Sequence, residues 1–209
     1  MGHREDLLEG AKRCLLEKGF VRTTARDIVK ESGTNLASIG YHYGSKDALL
    51  TQAFVALMQE WGEKFDSQAA YEDTPGGSVE RFHSVWARML ESFEDFRPVW
   101  AASMEVVTQG DRVPELRELM AKAQIEGRSG LVAMLTGLDE ETLDERTVQS
   151  LGGFYQALLN GLMVQWLFDP ASASTADDLT EGLRRVIDAA AKTKATTKAK
   201  ATTKTKPKD

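Results

Sequence analysis

The chain has 209 residues, 42% of them hydrophobic and 28% charged, enough to bury one or two sizeable cores. Its single cysteine, Cys14, excludes an intrachain disulfide and points to a reducing compartment. No apolar run approaches the roughly 20 residues needed to span a bilayer, and Met1-Gly2-His3-Arg4 lacks a hydrophobic signal core, so a cytoplasmic protein is expected. The net charge of −6 conceals a segregation along the chain. Residues 1 to 50 carry eight Lys or Arg against seven Asp or Glu, residues 51 to 188 carry 11 against 24, and residues 189 to 209 carry seven Lys against one Asp.

A first helix is predicted from Arg4 to Lys18, with Leu7, Leu8, Ala11, Cys14 and Leu15 on its apolar face. It stops at Gly19, and Phe20 returns to the core. Thr24 with Asp27 three residues on forms a T-x-x-D capping box, so a second helix begins near Ala25, buries Ile28 and Val29, and runs out at Glu31-Ser32-Gly33. Asn35 caps a third helix that buries Leu36 and Ile39 and presents Ala37, Ser38, Gly40, Tyr41 and His42 outward. Two short capped helices around a glycine turn, with small outward residues on the second, are what a helix-turn-helix needs to seat that helix in the DNA major groove. Gly40 costs a helix about 1 kcal/mol relative to alanine, which points to a demand from outside the helix.

Ser45 caps a fourth helix running to near Phe65, with Leu49, Leu50, Phe54, Leu57, Met58 and Trp61 on its apolar positions. Lys46 in its first turn places a cation and free amides where a phosphate can sit. The near-neutral head makes phosphate neutralisation depend on a few cations, chiefly Arg22, Arg26 and Lys46. The DNA-contacting set is therefore Arg22, Thr24, Arg26, Asn35, Leu36, Ala37, Ser38, Gly40, Tyr41, His42 and Lys46. The fourth helix is the expected lever between head and body.

After a turn at Pro75-Gly76-Gly77, a stripe of Val79, Phe82, Trp86, Met89, Leu90 and Phe93 predicts a fifth helix. A further helix follows Pro98 with Trp100, Met104 and Val107, and another starts near Pro114 with Leu116, Leu119, Met120, Ala123, Leu131 and Met134. These residues read either as ordinary core or as the wall of a ligand pocket. The pocket reading takes Phe82, His83, Trp86, Met89, Phe93, Trp100, Met104, Met120, Gln124, Tyr155 and Met163, with Glu105 as a further polar handle.

The segment from Asp144 to Phe168 is apolar on two sides. One stripe is Val148, Leu151, Tyr155, Leu158, Leu162 and Trp166; the other is Gly152, Ala157, Gly161, Val164 and Phe168. A helix apolar on two sides needs two covers, one from its own subunit and one from a second copy. The first stripe, with Leu179, Leu183 and Val186 on a last helix capped by Ser174 and Asp177, is the expected interface of a two-fold homodimer. Ile187 and Ala190 extend it. The Lys, Thr and Ala stretch from 191 to 209 has no apolar stripe and is expected to be a disordered tail, inert or weakly attracted to DNA.

Thr23-Thr24-Ala25-Arg26-Asp27-Ile28, Ser32-Gly33 and Tyr41-His42-Tyr43-Gly44-Ser45-Lys46-Asp47-Ala48-Leu49-Leu50 resemble the tetracycline-repressor (TetR) family of bacterial regulators over about residues 4 to 58. Residues 157 to 170 resemble, less closely, the long penultimate helix of its dimers. The resemblance implies an all-α fold: an N-terminal three-helix helix-turn-helix domain (residues 1 to 50) and a C-terminal helical ligand-binding and dimerisation domain (51 to 190). It also implies a homodimer that binds a near-palindromic double-stranded DNA operator and leaves it when a small-molecule effector enters. Gly40 stands where many members carry tyrosine, and Tyr43 where phenylalanine is frequent, so the phosphate-contacting aromatic is Tyr41 or His42.

Enzymatic chemistry finds little support in the residues. The histidines are His3, His42 and His83; Glu80-x-x-His83 is half of a di-iron motif without a second copy. There is no G-x-S-x-G, no phosphate-cradling G-x-x-x-x-G-K-[ST] and no cysteine pair for zinc, so neither a metal nor a cofactor is expected. The competing expectation is a helical ligand carrier or interaction protein that keeps the fold without binding DNA.

Overall fold

A computed structural model describes residues 2–63, 73–109 and 114–204, which are helices joined by short turns with no strand among the described residues. In chain order they are α1 (His3–Lys18), α2 (Ala25–Ser32), α3 (Leu36–Tyr43), α4 (Lys46–Glu63), α5 (Val79–Glu91), α6 (Arg97–Gln109) and α7 (Pro114–Thr136). A 3-10 turn at Glu140–Thr142 leads to α8 (Glu145–Thr147), a π turn at Val148–Gly152, α9 (Gly153–Phe168) and α10 (Ala176–Lys204). The part of the predicted fourth helix beyond Glu63 lies outside the described residues.

Two apolar cores divide the molecule. The first gathers Leu7, Ala11, Cys14 and Leu15 of α1, Phe20, Ile28, Ile39 and Tyr43, with Leu49, Leu50, Ala53, Phe54 and Leu57 of α4. Burial pushes the Cys14 thiol above its ordinary range and keeps it neutral, so it acts as a small apolar side chain. Val99 and Ala102 of α6 belong to the same core. The head therefore does not close at residue 50: it takes part of α4 and one face of α6. α6, like α4, places residues in both cores.

The second core holds Trp61, Phe82, Val85, Trp86, Met89, Phe93, Trp100, Leu131, Leu135, Leu159, Leu162, Met163 and Trp166. Its aromatic rings meet edge-on or tilted, Trp61 with Trp100 at 4.8 Å, Phe93 with Trp100 at 5.4 Å and Phe93 with Trp166 at 5.8 Å between centroids. Such offset contacts are worth about 0.5–1.5 kcal/mol each beyond the area they bury. Arg81, buried at the start of α5, donates from Nε to the Met134 carbonyl at 2.7 Å and from a terminal nitrogen to the Thr74 carbonyl at 3.3 Å, pinning the 73–78 turn to the end of α7.

The structure corrects three expectations about the C-terminal half. The last helix is capped by Thr175, not Ser174: the Asp178 amide donates to Thr175 Oγ1 at 3.1 Å and the Thr175 amide to the Asp178 carboxylate at 2.9 Å. Ser174 instead meets Gln165 Oε1 of α9 through its hydroxyl at 3.1 Å and its amide at 3.2 Å. The helix then continues to Lys204, past the boundary drawn at 191, because the Ala and Lys of that stretch have high helix propensity even without an apolar stripe. Leu162 and Trp166, expected on an interface, are instead buried within the body core of the subunit at 2% and 9% exposure.

Candidate nucleic-acid interface and effector core

The head is held by short-range polar contacts. Thr24 Oγ1 accepts the Asp27 amide at 3.2 Å while the Asp27 carboxylate accepts the Thr24 amide at 2.9 Å, closing the predicted capping box. Lys18 Nζ reaches the other Asp27 oxygen at 2.6 Å. The Lys18 hydrogen bond first, and the Thr24 contacts second, hold the Asp27 carboxyl well below the usual carboxylate range. Thr23, buried, donates from its hydroxyl to the Gly19 carbonyl at 2.7 Å. Gly33 ends α2 at φ 67°, a left-handed turn that few residues other than glycine take readily. Asn35 Oδ1 then accepts the Ser38 amide at 3.1 Å and starts α3.

On α3, Ile39 and Tyr43 face inward and Ser38 is buried with them. Tyr43 donates its hydroxyl to the Arg4 carbonyl at 2.6 Å, so the residue that departs from the common phenylalanine ties α3 to the start of α1. The outward face is Leu36, Ala37, Gly40 and Tyr41, with His42 half-buried. Leu36, the first residue of α3, is 52% exposed, contrary to its expected burial, and Ser38 is buried with Ile39 and Tyr43. Tyr41 is 86% exposed and stands edge-on to His42, ring centroids 4.8 Å apart. A Cβ added at Gly40 would meet no atom of the chain within 4 Å, so nothing inside the described protein requires glycine there.

The cations divide into free and committed. Arg22 is exposed, with Nε donating to the Lys18 carbonyl at 2.8 Å. Arg26 is exposed on α2, and so is Lys30 one turn later; neither makes an ion pair among the described residues. Lys30 escaped the sequence reading, although its i,i+4 spacing from Arg26 marks one polar face. Lys46, expected as a phosphate cation, is half-buried and has partners within the head: Nζ lies 2.7 Å from Asp47, 3.3 Å from the Thr23 carbonyl and 6.0 Å from the Phe20 ring centroid. The turn before α2 and the start of α4 sit close enough to claim it.

The expected pocket set splits. Phe82, Trp86, Met89, Phe93, Trp100 and Met163 come together in the body core, with Tyr155 and Met104 at its margin. His83 lies outside that core and meets Asp177 at 3.0 Å in a crevice of about 320 Å³ between α5 and α10. The Gln124 side chain is exposed; it is the Gln124 backbone carbonyl that accepts Gln156 Nε2 at 3.2 Å. The Met120 side chain lies outside the described residues. Glu105 turns away from the body core altogether and accepts the Val21 amide at 2.9 Å, joining α6 to the turn between α1 and α2. Sequence spacing cannot reveal a contact across 84 positions.

Within the body core, Trp61 Nε1 donates to Ser92 Oγ at 3.2 Å, whereas Trp86 Nε1 and Trp100 Nε1 have no acceptor among the described residues. Each such buried orphan donor costs about 1–3 kcal/mol. On the outside of the body, Phe154, Ala157, Gly161 and Phe168 of α9 are exposed, Phe168 at 86%, as are Val186 and Ile187 of α10. Gly152, from the same second stripe, is buried because α7 crosses there: a Cβ would lie 2.8 Å from the Arg128 Cβ.

Residues 7–53 match the family model "Bacterial regulatory proteins, tetR family". Residues 77–190 match the model "Tetracyclin repressor-like, C-terminal domain". The chain is 27% identical over 196 residues to the HTH-type transcriptional repressor AcnR of Corynebacterium glutamicum, covering 88% of this chain and 94% of that one. It is 22% identical over 180 residues to the HTH-type transcriptional regulator BetI of Brucella canis, covering 85% and 87%. Among solved structures, a putative transcriptional regulator from Streptomyces coelicolor A3(2) superposes with a TM-score of 0.65 at 22% identity, covering 88% of this chain and 97% of that one. The multidrug binding protein EbrR, complexed with imidazole, superposes with a TM-score of 0.63 at 23% identity, covering 87% and 88%.

Proposed function

The chain belongs to the tetR family of bacterial regulatory proteins, ligand-responsive DNA-binding transcriptional regulators, and on that premise we propose that it represses transcription as a homodimer that leaves a near-palindromic operator when a small molecule enters its body. The observation that carries the reading is the bare outer face of α3. Leu36, Ala37, Gly40 and Tyr41 project from a capped helix whose opposite side is fixed by Ile39 and Tyr43, and small residues let the helix sink into a major groove. Arg26 and Lys30 on α2, with Arg22 before it, supply the phosphate contacts, and Tyr41 is the outward aromatic.

Dimerisation uses the exposed members of the second stripe of α9, Ala157, Gly161 and Phe168, extended by Phe154. Phe154, Ala157, Gly161 and Phe168 form an outward apolar row at helical spacing, and glycine and alanine at its middle allow a copy of the same helix to approach closely. The outward Val186 and Ile187 of α10 complete a four-helix arrangement. Coupling runs through α6, which places Trp100 in the body core, Val99 and Ala102 in the head core and Glu105 on the α1–α2 turn. A ligand that displaces α6 shifts the spacing of two reading heads without touching either one.

Fluorescence anisotropy with the DNA immediately upstream of the gene, at stated salt, tests the reading. Wild type binds a discrete fragment and Tyr41→Ala weakens that binding about tenfold, roughly 1.4 kcal/mol. Failure to bind any upstream fragment, or Tyr41→Ala binding as wild type does, favours a ligand carrier with the same fold.

A further inference from the structure

Trp86 and Trp100 place two hydrogen-bond donors in the body core with no acceptor among the described residues, on side chains only 0% and 2% exposed. The same core gives the third indole, Trp61, a serine hydroxyl. A core built for packing alone takes phenylalanine at such positions or supplies an acceptor, as it does at Ser92. We infer that this core opens to a neutral, largely apolar molecule bearing oxygen acceptors, held by the indole N–H groups of Trp86 and Trp100. The inference rests on reading the body as the effector-binding domain.

Three observations define the chemical class. An indole N–H only donates, so the ligand must accept. Among the described residues the buried charged side chain is a cation, Arg81, its guanidinium bonded to the Met134 and Thr74 carbonyls, and no buried carboxylate stands beside it, so a cationic ligand would lose its hydration without gaining a counter-charge. The acidic surface of the body therefore does not select a cation at this site. Met89 and Met163 inside the core, with Met104 and Met134 at its margin, form a wall that can repack around an inserted ring. Trp100 also gives the ligand a direct hold on α6, the helix shared with the head.

The test is a titration of the full-length 15N-labelled protein with three matched pairs, acetophenone and ethylbenzene, benzophenone and diphenylmethane, fluorenone and fluorene, and with benzyltrimethylammonium as a cation. At least one ketone should move the Trp86 and Trp100 indole N–H resonances downfield, leave that of Trp61 in place, and bind about tenfold tighter than its hydrocarbon. Trp86→Phe and Trp100→Phe should each lose most of that margin. The proposal is overturned if no ketone outbinds its hydrocarbon partner, a comparison made in wild type that needs no variant to fold. It is equally overturned if benzyltrimethylammonium outbinds every ketone, or if both phenylalanine variants keep the margin. Release of upstream DNA is scored in the same samples. A ketone that engages both indoles while DNA stays bound upholds the ligand class and contradicts the effector reading; release with unmoved indoles does the reverse.

Discussion

Head and body each close on an apolar core, and they differ in what surrounds and fills it. In the head, helix ends are closed by side chains three residues away: Thr24 with Asp27, Asn35 with the Ser38 amide, and Ser45 with the Ala48 amide at 3.0 Å. In the body, stability comes from large rings meeting across the chain, Phe93 with Trp166 and Trp61 with Trp100, and two indole donors are left unsatisfied. A head fixed by local contacts keeps one shape for a DNA groove of fixed geometry, whereas a methionine-rich apolar body can repack. α6 belongs to both cores, and it is the route proposed for carrying repacking in one to the other.

The contrast can be broken hardest in the body. Phe93→Ala should destabilise the protein by about 3–5 kcal/mol in urea unfolding, since Phe93 is fully buried against the rings of Trp100 and Trp166. A loss below about 1 kcal/mol would mean the body core is loosely packed. Phe168→Asp, on the outward face of α9, should leave the unfolding midpoint of the subunit nearly unchanged. It should also raise the dimer dissociation constant at least about a hundredfold, read by analytical ultracentrifugation, if this face is an interface hot spot. A variant as dimeric as wild type moves the interface elsewhere.

In the head the expected effects are smaller. Thr24→Ala removes the α2 cap and should cost about 1 kcal/mol. Lys46→Ala should lower head stability while leaving the salt dependence of DNA binding unchanged, because Lys46 is engaged with Asp47 and Thr23; a fall of about 0.9 in the log–log salt slope would restore it as a phosphate contact. The Asp27 carboxyl has its folded-state pKa lowered, so its contribution is present above the ordinary carboxylate pKa of about 3.9 and is lost as pH falls through and below that range. Stability should be flat from about pH 6 to 8 and decline in acid, and Asp27→Asn should make the acid limb shallower; an acid limb identical to wild type would remove Asp27 from it.

What the sequence reveals follows the same division. The caps, the glycine turn and the outward Tyr41 are legible because each depends on residues within a few positions. Ser174–Asp177 and Thr175–Asp178 are equivalent as sequence, and the choice falls to Gln165 on a different helix, which takes Ser174 for itself. The two apolar stripes of α9 can be counted from sequence, but which one turns inward is decided by Phe93 and the rest of the body core. Leu36 is exposed where burial is expected, and Lys46 takes one partner from its own helix, Asp47, and another, the Thr23 carbonyl, from 23 positions earlier, which its spacing does not announce. Glu105 shows the limit most clearly, since its carboxylate closes a turn 84 positions earlier in the chain.

The central claim is that two copies of the α3 face read one operator together. Hydroxyl-radical footprinting of the upstream DNA tests it most directly. The account predicts two protected half-sites related by a dyad, with centres about one helical turn, roughly 10 base pairs, or a multiple of it apart. A single protected segment without symmetry would contradict it.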